Sequence, residues 1–283
     1  MKSHYQHSFA DYLQIQRVSP KTSEAYLRAV AGLSAFHKQP SAKLNNDQIQ
    51  DYLLYFIQEK QLSWSSCNVL LCGLKKYYQE FLGRKESEFS IPPRPRSNKI
   101  PLLLSQKEVG DLLQAHTNVK HRALLATVYS SGLRVSEVVS LKPCHIESDR
   151  MMIRVEQGKG RKDRYTVLSK NCLELLRDYW RAYHPGEWLF FGQNKKKPMS
   201  ISSAQRIYYQ AKEKAKITRG RGIHTLRHCF ASHLLDAGTE IYVIKEWLGH
   251  TSVETTSQYI HLSSNYLSKI TSPLDMLAYR GEA

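Results

Sequence analysis

The chain has 283 residues, enough for one large domain or two modest ones that each bury a core. Lys+Arg number 41 against 25 Asp+Glu, a formal net charge of +16, so the expected partner is a polyanion, either nucleic acid or an anionic membrane surface. No apolar run approaches the roughly 20 residues that a bilayer span needs, and Met1-Lys-Ser-His-Tyr-Gln lacks a signal-peptide core. This disfavours the membrane and points to a cytoplasmic, nucleoid-associated protein.

From the N-terminus, apolar residues recur at helical spacing in four segments, near 7–17, 20–37, 46–60 and 64–82. Leu53, Leu54, Phe56 and Ile57, for example, make one helical face. Residues 1–90 therefore read as a small all-α bundle. Pro92, Pro93, Pro95 and Pro101 then fix φ and withhold backbone donors, so 91–101 reads as an extended linker. Residues 1–97 carry 13 Lys+Arg and 8 Asp+Glu, net +5, which leaves +11 of the +16 for the rest. Two basic lobes on a linker suit a duplex partner, with phosphate contacts supplying most of the affinity.

The second domain, 102–283, opens with a helix capped by the Ser105-Gln-Lys-Glu108 box and a second helix over 119–131 ended by Gly132. Arg134 and Glu137 share a face of a short helix running to Leu141; taken alone they read as a surface ion pair worth at most about 1 kcal/mol. The β-like runs 151–155 and 165–168 flank Gly158-Lys-Gly-Arg-Lys-Asp-Arg164, a hairpin with Lys159 at its tip. The loop lacks P-loop spacing. A helix over Thr225–Ala237 ends at Gly238, and Thr239 caps the next, with Val243, Ile244, Trp247 and Leu248 as its stripe and Gly249 as its end. Thr251-Ser-Val-Glu254 has capping-box spacing for a last helix, with Tyr259 two turns into it. The fold class is mainly α with a small β-hairpin (α+β).

Five cysteines without a C-x-x-C pair read as reduced, mostly packed thiols. His224 and His228 stand four apart, as in helical zinc sites, but the cationic Arg227 lies between them and no metalloprotease glutamate accompanies them. No metal is expected, and His228 reads as a packed or hydrogen-bonded core histidine.

The joint spacing of His224, Arg227, Gly249, His250 and Tyr259 carries more weight than any member. At roughly 5% usage per residue type, five such positions coincide by chance about once in several million placements. The chemistry is coherent. Arg134 and Arg227 present permanently charged forks that suit the nonbridging oxygens of a phosphodiester and the charge growing in its pentavalent transition state. Tyr259, ordinarily near pKa 10, needs cations or a base to become a nucleophile, and His224 or His250 can take its proton. Lys159 can protonate a departing oxygen. With arginines supplying the electrostatics, no cofactor is required.

With these residues in place, the chain resembles the tyrosine recombinases of the phage-integrase and Xer type. Arg134 matches the arginine of the family's G-L-R-x-x-E box and Glu137 its supporting acid. Lys159 matches the hairpin lysine, His224 and Arg227 the H-x-x-R motif, His250 the L-G-H histidine, and Tyr259 the nucleophile. The likeness is strong over 101–262; residues 1–90 resemble the family's SAM-like core-binding domain in pattern only. It implies strand cleavage and rejoining through a 3′-phosphotyrosyl intermediate and a free 5′-hydroxyl on double-stranded DNA recombination sites. It also implies a homo-oligomer, a tetramer on paired sites, with the apolar segment 263–283 docking on a neighbouring protomer. A type IB topoisomerase-like nicking-closing enzyme would share the arginines, lysine and tyrosine and is the alternative.

Overall fold

The computed structural model describes residues 8–84, 86, 88–94, 103–156, 163–257 and 259–260. The chain divides into two compact units, Met1–Asn98 and Lys99–Ala283.

The first unit is helical: α1 (Phe9–Ile15), α2 (Pro20–His37), α3 (Asn46–Gln58) and α4 (Trp64–Lys75). Each begins at a side chain that can satisfy orphan N–H groups. Ser8 and Asn45 form reciprocal capping boxes with Asp11 and Gln48, and Ser19 and Ser63 cap α2 and α4. α4 runs on into a π-helical segment, Lys76–Phe81. The wider turn lets the adjacent Tyr77 and Tyr78 both face inward. Leu13, Leu33, Leu44, Ile49, Leu53, Leu74 and Tyr78 form the core, and Phe89 joins them. The stretch after the bundle is extended and tied to it: Gln50 exchanges hydrogen bonds with the Ser90 backbone, and Trp64 Nε1 donates to the Pro92 carbonyl.

The second unit holds α5 (Gln106–Gln114), α6 (Val119–Ser131), α7 (Val135–Val139), β1 (Ile146–Glu147), β2 (Met152–Val155), β3 (Arg164–Val167), α8 (Lys170–Tyr183), α9 (Ile201–Lys214), α10 (His224–Asp236), α11 (Ile241–Leu248) and α12 (Glu254–Ser257). The expected Ser105–Glu108 capping box starts α5. α6 packs against both α8 and α10 and buries Ala123, Leu124, Leu125 and Val128. The sheet is antiparallel in the order β1-β2-β3, and the hairpin register sets Ile153 against Thr166 and Val155 against Arg164. Strand alternation turns Ile153 and Val155 into the core. On β3 it places Arg164 on the same face as buried Thr166, whose hydroxyl donates to the Ser131 carbonyl at 2.7 Å. A second core cluster joins Phe230, Ala231 and Leu235 of α10 to Ile244 and Leu248 of α11 and to Tyr259.

Three local expectations are corrected. α11 is preceded by Glu240 at its cap position, with no side-chain cap from Thr239, and Val243 lies on its exposed side while Ile244 and Leu248 are buried. The last helix begins at Glu254, whose N–H is taken by Ser252, two residues earlier, so Thr251 does not open a capping box. Consequently Tyr259 lies just beyond the short α12, and not two turns inside a helix. Free cysteines occupy the five positions, with Cys67, Cys172 and Cys229 buried and Cys72 and Cys144 exposed.

Candidate active site

The site forms where the start of α7, the start of α10 and the segment after α11 meet. Two glycines in the left-handed region make this possible. Gly132 (φ 62°) ends α6 so closely against Phe230 that a Cβ would overlap the ring, and Gly249 (φ 61°) ends α11 with no room for a Cβ beside Arg164. Their backbone turns aim carbonyls at the site arginines: Arg227 Nη1 donates to Gly132 O at 2.6 Å and Arg134 Nη2 to Gly249 O at 3.4 Å.

Arg227 is 1% exposed, projected from the first turn of α10 into the unit's interior. Besides Gly132 it donates through Nη2 to Leu248 O at 2.6 Å and to His250 Nε2 at 3.0 Å. Burial and then the neighbouring Arg134 charge lower its pKa to about 9, which still leaves it charged at neutral pH. Because arginine only donates, His250 Nε2 must be an acceptor, so that ring is neutral and its Nδ1–H faces Thr256 Oγ1 at 2.9 Å. Burial, reinforced by the charges of Arg227 and Arg134, pushes the His250 pKa down to about 4.

Glu137 is not the partner of a surface ion pair. It is buried, and its carboxylate accepts from the Arg134 backbone N–H at 2.7 Å, from Arg134 Nη1 at 2.7 Å, and from both Nη atoms of Arg164 at 2.8 Å. Arg227 Nη1 lies 3.9 Å away. The bidentate Arg164 also donates through Nε to the Trp247 carbonyl, which ties β3 to the end of α11. Burial alone would raise the Glu137 pKa; the hydrogen bonds and charge of Arg164, then those of Arg134, overturn that and hold it at about 2. Three guanidiniums against one carboxylate leave a surplus of two positive charges within this cluster.

Tyr259 is 2% exposed, and its hydroxyl meets His228 Nδ1 at 2.9 Å. Burial pushes the phenol up to about 12 against the opposing pull of Arg227 and Arg134. The His228 and His224 rings meet edge to face with centroids 4.9 Å apart. His224 opens to solvent, and desolvation in the cleft followed by the nearby His228, Arg227 and Arg134 lowers its pKa.

Arg134, His224, Arg227, His250 and Tyr259, named from the sequence, thus line one cleft of about 190 Å³ together with His228, Gly249, Thr251 and Thr255. Glu137 supports it from behind. Lys159 and the segment 263–283 lie outside the described residues. Sequence reasoning missed Arg164, His228 and Thr256 as members of the constellation. The i+4 spacing from His224 and the alternation from Thr166 were the available signals for the first two.

The phage integrase family matches residues 103–265, and the phage integrase N-terminal SAM-like domain matches 6–88. The chain is 37% identical over 266 residues to the Sinorhizobium fredii protein y4qK, covering 94% of this chain and 86% of that one. It is 31% identical over 281 residues to the tyrosine recombinase XerC of Lactobacillus delbrueckii subsp. bulgaricus, covering 92% and 95% of the two chains. The crystal structure of the XerH site-specific recombinase, bound to palindromic difH substrate in a post-cleavage complex, shares the fold with a TM-score of 0.69 at 20% identity, over 92% of this chain and 83% of that chain. These likenesses do not favour the nicking-closing alternative. The chain belongs to the phage integrase family, the tyrosine-type site-specific recombinases.

Proposed function

We propose that this recombinase cleaves double-stranded DNA at its recombination sites by attack of Tyr259 on the scissile phosphate. The product is a 3′-phosphotyrosyl link and a free 5′-hydroxyl. The observation that carries the reading is the single cleft in which Arg134, Arg227, His250 and Tyr259 converge, backed by a cluster with two surplus positive charges. Arg134 and Arg227 neutralise the phosphodiester and the second negative charge that grows on it in the pentavalent transition state. Their rigidity comes from Glu137 and from the carbonyls of Gly132, Leu248 and Gly249, so little reorganisation accompanies the reaction. His250 donates no proton to Arg227 and holds it in register through Thr256. Lys159, which falls between β2 and β3 in the sequence, protonates the leaving oxygen. Covalent attachment conserves the phosphodiester's energy, so a second 5′-hydroxyl reseals the strand without a nucleotide cofactor.

The division of labour follows the sequence: residues 1–90 form a core-binding domain on DNA, 91–101 a linker, and 102–283 the catalytic domain, whose segment 263–283 docks on a neighbouring protomer. Recombination then takes place in a tetramer on paired sites. The protein works in the cytoplasm at the nucleoid, and the net charge of +16 and the DNA-bound state of XerH support the DNA partner. The test is a nicked suicide duplex: the wild-type chain forms a covalent complex and Tyr259→Phe binds the duplex without forming one. Covalent trapping by Tyr259→Phe at the wild-type level refutes the assignment.

A further inference from the structure

We propose that His228 is the proton acceptor of the strand-cleavage step, and that it returns the proton to Tyr259 when the strand is resealed. The inference rests on the reading of Tyr259 as nucleophile and deepens it. Sequence spacing offers His224 and His250 for this task, and the geometry points elsewhere. Among the described residues, the hydrogen-bond partner of the Tyr259 hydroxyl is His228 Nδ1, at 2.9 Å. That separation is within the reach a general base needs in the resting enzyme. His250 has both ring nitrogens engaged, Nε2 by Arg227 and Nδ1 by Thr256. His224 meets the edge of the His228 ring and lines the same cleft, with no bond to the phenol.

The placement of His228 follows from the helix. It is the residue after Arg227 and one turn beyond His224 on α10, so the guanidinium and both imidazoles come from two consecutive turns. The groups facing it are His224 and Arg227 from its own helix, Tyr259 and His250 from the segment after α11, and Arg134 from the start of α7. Burial and then the Arg227 charge disfavour its imidazolium, so the resting ring is neutral, and we assign it the Nε2–H tautomer, in which the Nδ1 lone pair receives the phenolic O–H. With the phenol itself held at about 12, the proton stays on Tyr259 while the cleft is empty. A scissile phosphate makes His228 the better acceptor, because its negative charge offsets Arg134 and Arg227 and favours a cation there, and the phenol releases its proton as bonding to phosphorus draws charge from Oη. As the Tyr259 Oη–P bond forms, the Oη–H bond breaks and its proton passes to Nδ1. The P–O5′ bond breaks, and the departing oxygen takes a proton from the Lys159 ammonium. Resealing runs both transfers in reverse.

The experiment is single-turnover cleavage of two suicide duplexes, one with the ordinary 5′-oxygen at the scissile phosphate and one with a bridging 5′-sulfur, which leaves without a proton. H228A is expected to slow cleavage of the oxygen substrate by about 10²-fold or more. It stays equally slow on the sulfur substrate, where a Lys159→Ala control recovers. Added imidazoles speed H228A, with rates that follow their basicity, and H228N, which keeps a hydrogen-bonding group but no base, stays slow. Recovery of H228A on sulfur would overturn the proposal by placing His228 at the leaving group. So would a rate within about threefold of wild type for either variant on the oxygen substrate, since H228N tests orientation without proton transfer. Cleavage by Tyr259→Phe in the same assay would instead overturn the nucleophile reading, and the two failures are thereby distinct.

Discussion

Replacing Glu137 with glutamine removes one negative charge from beneath three guanidiniums while preserving side-chain shape. A carboxyl held at about 2 in the folded chain, against an ordinary 4.5, contributes about 3 kcal/mol at neutral pH. Removal of one partner from a buried ion pair costs about 3–5 kcal/mol, so two independent routes give the same size. For a unit of this length each kcal/mol moves Tm by roughly 2–4 °C, which predicts a fall of about 6–12 °C. Because the folded pKa is depressed, the stabilisation is fully present above pH 4.5 and is lost as pH falls from 4.5 towards 2. The gap between wild type and Glu137→Gln should therefore narrow over that window. Tryptophan fluorescence is a suitable probe, since Trp180, Trp188 and Trp247 of the four tryptophans lie in the second unit. A loss below about 1 kcal/mol at pH 7, the size of an exposed pair, would refute the argument, as would a gap that does not change between pH 7 and pH 3. Asp178→Asn, which breaks the exposed Arg181–Asp178 pair, is the matched control and should leave Tm within about 2 °C.

Gly132→Ala should destabilise the second unit by about 2 kcal/mol or more in urea denaturation, because φ is positive and the new Cβ collides with Phe230. Gly110→Ala, where a Cβ meets open space on α5, should be neutral or slightly stabilising in the same assay. Arg134→Lys keeps the charge but loses the fork shared by Glu137 and Gly249; single-turnover cleavage should fall by about 10²–10³-fold with duplex affinity little changed. Thr166→Val leaves the Ser131 carbonyl without its partner and should cost about 1–3 kcal/mol by thermal melting. Since His250 titrates at about 4 when folded and near 6.5 when unfolded, stability should fall as pH drops from 6.5 towards 4, measured as a declining Tm in the wild-type chain.

The helices were legible because their start signals are local: Ser105 and Glu108 lie three residues apart and satisfy each other without help from the rest of the chain. The hairpin was legible for the same reason, as β-branched alternation sets which residues face inward. Short elements at the site were not. α12 is four residues long, and its position is set by Thr256 beneath His250 and by Tyr259 in the core, neither of which spacing reveals. The Arg134–Glu137 pair looks like any i,i+3 pair in sequence. Its burial and its third member, Arg164, come from a strand 27 residues away. Likewise, the motif names which histidines gather near Tyr259, whereas the choice of His228 as the contact depends on side-chain direction within one helical turn.

Of the 17 tyrosines, Tyr259 is the one expected to become joined to DNA. Mass spectrometry of the covalent complex trapped on a nicked suicide duplex, after protease and nuclease digestion, tests it most directly. The expected product is a nucleotide attached through a 3′-phosphate to the peptide carrying Tyr259; an adduct on any other residue, or a 5′-phosphate linkage, would overturn the assignment.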